Sequence, residues 1–224
     1  MAIAFDNATF SAESAGTSKT FAHTVGAGAD RVLVVIAHNN SSATNSFTGA
    51  TYNGVAMTRL TGVASANGDM YDNVYVLVNP ASGANNVVIS SSGSIGIIGM
   101  ASSYTGVNQS NPTVFSAISS AISSTSVSNA VTTTVDNSWI VASGAQNAVQ
   151  ITASTNINNV RASESPTAYR RIADSGAITP AGSTNQTWTY ASNCCILCQV
   201  VLEPTGGGGG GAGASRMSLL GVGS

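Results

Sequence analysis

The chain has 224 residues, of which 43% are hydrophobic and only 7% charged, with a net charge of −2; a typical soluble domain carries ~25% charged residues. Seven Lys and Arg, with Arg170-Arg171 the only adjacent pair, supply no phosphate-neutralising face, which excludes nucleic-acid binding as the main role. The longest apolar stretch, Val32 to Ala37, is far too short for a membrane-crossing helix.

The first residues, Met1-Ala2-Ile3-Ala4-Phe5-Asp6, read as a strand start over about 2–8 and carry no basic region or apolar core of a secretory signal. Residues 18–25 are the next expected strand. Arg31-Val32-Leu33-Val34-Val35-Ile36-Ala37-His38 is nearly all apolar, which predicts a central strand covered on both faces. Over 50–60, Asn53-Gly54 between β-formers predicts a tight hairpin turn. Strand 70–78 ends at the turn signal Asn79-Pro80, and strands are expected over 85–91 and 95–104.

The Ser-rich piece Ser116 to Ser128 is of low complexity and is expected as an exposed or edge segment linking two halves. Further strands are expected near 126–135, 138–146, 149–154, 167–173, 185–191 and 194–203. In Gln186-Thr187-Trp188-Thr189-Tyr190 the alternation puts Trp188 and Tyr190 on one face. Cys194 and Cys198 share a face of an extended strand but lie about 13 Å apart, too far for a disulfide. Cys195 points the other way, so buried reduced thiols are expected. After Glu203-Pro204-Thr205 come the glycines Gly206 to Gly211, and the chain ends on the apolar run around Met217, Leu219, Leu220 and Val222. A polyglycine run has high backbone entropy and resists ordinary core structure.

This pattern of short strands and turns, with no amphipathic helix, predicts an all-β fold: a two-sheet antiparallel sandwich over 1–204 with a glycine-rich C-terminal extension over 205–224. No internal repeat of fixed period is visible. Phe21-Ala22-His23-Thr24-Val25, Arg31 to Val35, Thr51 to Thr58, Val74 to Pro80, Tyr104-Thr105-Gly106-Val107 and the closing Leu202-Glu203-Pro204 together resemble a jelly-roll-like β-sandwich module of tailed-phage virion structural proteins, also found in bacterial surface proteins. That resemblance implies a jelly-roll-like fold and no shared catalytic set.

Candidate chemistry is sparse. His23 and His38 fall on expected strands, where buried structural roles are the default, and there is no Gly-x-Ser-x-Gly elbow. Asp69 and Asp72, within Asn67 to Asn73, form either a hairpin turn or an oxygen-rich loop for Ca²⁺. Trp188 and Tyr190 are the candidate platform for a glycan. No cofactor or catalytic residue is expected. The sequence therefore leads to a non-enzymatic virion structural protein, a head-decoration or tail/fibre component. Its partners are other virion proteins and copies of itself, and Met217, Leu219, Leu220 and Val222 dock into a neighbour. The alternative is a glycan-binding adhesin or host-recognition module that contacts a host surface glycan.

Overall fold

The computed structural model describes residues 1–39, 45–110, 113–119, 122–146, 149–167 and 169–206. The fold is all-β and antiparallel, with no helix among the described residues. The first part of the chain forms β1 (Ala4–Val25), β2 (Val32–Asn39), β3 (Phe47–Tyr52), β4 (Val55–Ala56), β5 (Thr58–Ala64), β6 (Tyr71–Val78) and β7 (Gly83–Thr105). The second part forms β8 (Thr113–Ser119), β9 (Ser124–Thr132), β10 (Trp139–Gln146), β11 (Ile151–Thr155), β12 (Asn159–Ser163), β13 (Arg170–Asp174), β14 (Ser183–Asn193) and β15 (Cys195–Leu202).

Two pairs of expected strands turn out to be single long ones. Residues 2–8 and 18–25 belong to β1, and 85–91 and 95–104 belong to β7. The two run antiparallel along their whole length, with register shifts between Ser11/Ser14 and Gly16/Ser18. Such bulges bend a strand without ending it. On β7 the bend falls at Ser91 to Ile95, where the Ser91 hydroxyl donates to the Gly93 carbonyl at 2.8 Å. The residues at the bends, Ser11 to Gly16 and Ser91 to Ser94, include no β-branched or aromatic residue, so they carry none of the signal that marks a strand. The Asn53-Gly54 hairpin forms as expected, with both residues at positive φ (50° and 76°), the backbone that two-residue hairpin loops require.

Pairing order reveals an internal duplication. Residues 4–16 of β1 pair with 95–105 of β7, which pairs with β2, then β6, then β5. Residues 18–25 of β1 pair with 83–90 of β7, which pairs with β3. The second half repeats this scheme, as β8-β15-β10-β13-β12 and β9-β14-β11. The repeat is one of topology and does not appear as a sequence period. Where one pair of sheets was expected, there are three hydrogen-bonded sheets, because β1 and β7 each run through both layers of the first half and join them into one nearly closed sheet.

Three apolar cores separate four layers. Leu33, Val35 and Ala37 of β2 pack with Phe21, Tyr52, Val87 and Ile89 inside the first half. Ile140 and Ala142 of β10 pack with Val127, Val131, Trp188 and Tyr190 inside the second. Between the halves, Val32, Val34 and Ile36 of β2 with Val74, Val76 and Met100 meet Val141, Ile172, Cys198, Val200 and Leu202. All of β2 is buried, as its unbroken apolar run requires. The Ser-rich segment supplies β8 and β9, each at the edge of its sheet.

Candidate functional site

Among the described residues, three buried networks are built on histidine or aspartate side chains. In the first, His23 on β1 is buried, and its Nδ1 lies 2.9 Å from the Thr9 hydroxyl and its Nε2 3.2 Å from the Ser103 hydroxyl. Ser103 in turn donates to Asp6 Oδ2 at 2.7 Å, which also accepts from the Gly26 amide at 2.8 Å. Burial holds the imidazole pKa down at about 4, with the Asp6 charge pulling weakly the other way. A neutral imidazole protonated on Nε2 satisfies the whole chain: Thr9 donates to Nδ1, Nε2 donates to Ser103, and Ser103 donates to Asp6. The serine therefore stands between histidine and carboxylate. A nucleophilic triad needs the histidine in the middle, so this order does not activate the serine.

The second network crosses between the halves. His38 Nδ1 on β2 lies 2.6 Å from Asp72 Oδ1 on β6, and both side chains are fully buried. The other oxygen of Asp72 accepts from Ser143 on β10 at 3.2 Å. Among the described residues His38 Nε2 is buried with no hydrogen-bond partner, so again no described serine stands where a base could reach it. Asp72 is thus spent inward, while Asp69 accepts from Ser65 at 3.0 Å across the turn before β6. The two carboxylates named for a Ca²⁺ loop do not act together, and among the described residues no three His, Cys, Asp or Glu converge as a metal site.

The third network centres on Asp174 at the end of β13, also fully buried. Arg161 of β12 grips it with both prongs, Nε to Oδ2 at 2.5 Å and Nη2 to Oδ1 at 3.0 Å. Asn159 donates at 3.0 Å, the Gly176 amide at 3.1 Å, and Tyr104 of the first half at 3.3 Å. The Arg161 guanidinium lies over the Phe5 ring, 4.1 Å from its centroid. Tyr104 packs edge-on against both Phe5 and Trp139. Burial first, and then the Asp174 charge, push the Tyr104 hydroxyl far above its ordinary pKa, so it acts only as a neutral donor.

The residues singled out from sequence fall as follows. Trp188 is 0% exposed and Tyr190 3%, both in the core of the second half, and the Trp188 indole donates to the Ser143 carbonyl at 3.1 Å. A glycan platform needs an open ring face, and neither ring offers one, so that expectation is corrected. The alternation of 186–190 was read properly, but the face it marks is the inner one. Arg170 is likewise internal, 3% exposed, with Nη1 2.9 Å from Glu164. Cys194, Cys195 and Cys198 form no disulfide and are buried; Cys195 lies in the second-half core and Cys198 in the core between halves, on opposite faces as expected. Burial, and secondarily the Asp72 charge, raise the pKa of Cys195 and Cys198 well above the thiol range. Met217, Leu219, Leu220 and Val222 lie outside the described residues.

A cleft of about 640 Å³ opens where the two ends of the described chain meet. The Met1 amine donates to the Thr205 carbonyl at 2.6 Å, Thr205 Oγ1 donates to Asp30 at 3.0 Å, and Val107 bridges Pro204. One wall comes from the β9–β10 turn at Val135 and Asp136, and another from Ala181. Sequence reading missed this cleft, because it depends on bringing residues 1, 136 and 204 together. No protein-family model matches the chain, and no curated protein shows significant similarity to it.

Proposed function

We propose that the protein is a non-enzymatic structural component of a tailed-phage virion, in head decoration or in the tail or fibre, held to its neighbours through its glycine-rich C-terminal segment. Within this reading each half is a jelly-roll-like two-sheet sandwich. In support, the first and last strands of each half are paired, the last pairs with the third, and the second pairs with the seventh, once β1 and β7 are each counted as two and β4 is set aside.

The observation that carries the proposal is the meeting of both ends at one pole, where the Met1 amine touches Thr205. The segment from Gly206 onward leaves from there, which frees the opposite pole and both outer sheets for display. Those outer faces carry Thr20, Ala22 and Thr24 in the first half and Ser126, Ser128, Thr187 and Thr189 in the second, with no charged side chain among them. Such neutral faces pack beside many like copies without mutual repulsion. The histidines and buried carboxylates are occupied in structural hydrogen bonds, which favours a non-enzymatic role over a hydrolase.

The test is deletion of residues 207–224. The truncated chain is expected to stay folded and monomeric and to fail to join copies of itself or virion particles, while the full chain assembles. A truncated chain that assembles like the full one overturns the proposal.

A further inference from the structure

We infer that the cleft at the shared pole is the acceptor for the C-terminal segment of a second copy of this chain, residues Arg216 to Val222; this rests on the structural reading above. Three observations lead to it. First, the chemistry is complementary. The cleft offers the apolar surfaces of Met1, Val135 and Ala181, with Met1 69% exposed, and its charged groups are the Asp136 carboxylate and the Met1 ammonium, the latter already held by the Thr205 carbonyl. The incoming segment offers Met217, Leu219, Leu220 and Val222 beside Arg216, the only charged residue beyond Glu203. Asp136 uses Oδ1 to accept from the Ala181 amide at 2.6 Å, which fixes the carboxylate on the cleft wall and leaves Oδ2 for a guanidinium.

Second, the position is right. Gly206 itself lines the cleft, so in any closed symmetric arrangement the donor segment of one copy leaves beside the acceptor cleft it offers to another. Third, the spacer has the length to reach an adjacent cleft. Residues 206–215 span about 35 Å when extended, enough to reach the cleft of a copy whose pole faces this one, though short of the breadth of about 40 Å of a whole domain of this size. A return into the cleft's own rim would need only a turn of about four residues.

The experiment uses the full chain in two singly substituted forms, Ala181→Cys and Leu219→Cys, mixed and oxidised; the native thiols are buried and stay out of the reaction. A disulfide-linked heterodimer is expected in the mixture and in neither form alone. The Asp136→Arg chain is expected to lose assembly while keeping its thermal transition, and Asp136→Arg combined with Arg216→Asp to regain it. If a chain carrying both Ala181→Cys and Leu219→Cys closes only on itself while the mixture of single variants gives no heterodimer, or if no mixed disulfide forms and Asp136→Arg assembles normally, this acceptor site is overturned. When that result comes with a 207–224 deletion that fails to assemble, the structural-protein reading stands and the segment has another acceptor. A deletion that assembles normally removes both.

Discussion

The Tyr104 hydroxyl of the first half donates to the Asp174 carboxylate of the second across 3.3 Å, with both side chains shut away from water. The duplicated halves are therefore joined by directed polar contacts as well as by apolar packing. A buried carboxylate is stable only while its partners hold it, because its desolvation is otherwise uncompensated.

Asp174→Ala is expected to destabilise the protein by about 3–5 kcal/mol, since it strands Arg161 and three further donors at once. Tyr104→Phe removes one donor among several and is expected to cost about 1 kcal/mol. Urea unfolding of the two variants beside the wild type measures the ranking. Equal losses would mean that Asp174 is not the hub described.

Acid should weaken the fold through His23. Its folded pKa, about 4, lies below the ~6.5 of an unfolded histidine. As pH falls through about 6.5, the unfolded chain takes up a proton that the folded chain refuses. The contribution is complete above that pH and is lost on the way down to about 4, with a slope approaching ~1.4 kcal/mol per pH unit. Unfolding midpoints measured between about pH 7 and about pH 4.5 should fall in the wild type and flatten in His23→Gln.

Gly144 is a packing glycine. A Cβ there would meet Trp188 Nε1 at 2.7 Å, Cε2 at 2.8 Å and Ile151 Cδ1 at 2.9 Å. The indole cannot retreat without losing its hydrogen bond to Ser143. Gly144→Ala is expected to cost about 1–3 kcal/mol by overpacking. A lowered melting temperature with an altered tryptophan emission would record it.

The three thiols should be silent in the native state. All are buried, and Cys195 and Cys198 have their thiolate forms strongly disfavoured by burial. An aromatic disulfide reagent is expected to label none in buffer and all three in denaturant. Rapid labelling in buffer would mean that β15 opens locally.

Much of the framework was legible from the residues. The unbroken run of β2, the Asn53-Gly54 turn and the inward and outward alternation of Cys195 and Cys198 follow from local rules of periodicity and backbone conformation. What escaped has a common cause. The bend segments of β1 and β7 are mostly Ser, Gly and Ala, whose strand conformation is imposed by partners distant in sequence. β12, Asn159–Ser163, is short and polar and becomes a strand only because β13 offers it an edge. Trp188 could be placed on a face by alternation, but which face looks inward depends on the opposite sheet. Asp174 gave no signal at all, because its meaning comes from Arg161 and Tyr104, brought there by the pairing of β12 with β13 and the stacking of the halves.

The contact between Met1 and Thr205 also bears on how the molecule can be rewired. Joining Gly206 to Met1 by a short linker and opening the backbone in the stretch between β7 and β8 would yield a circular permutant that begins with the second half and ends with the first. Each β-half would keep its own strand order, and the surface between them would be unaltered. On this plan either half could leave the ribosome first, and the yield of folded permutant would show whether the order of synthesis matters.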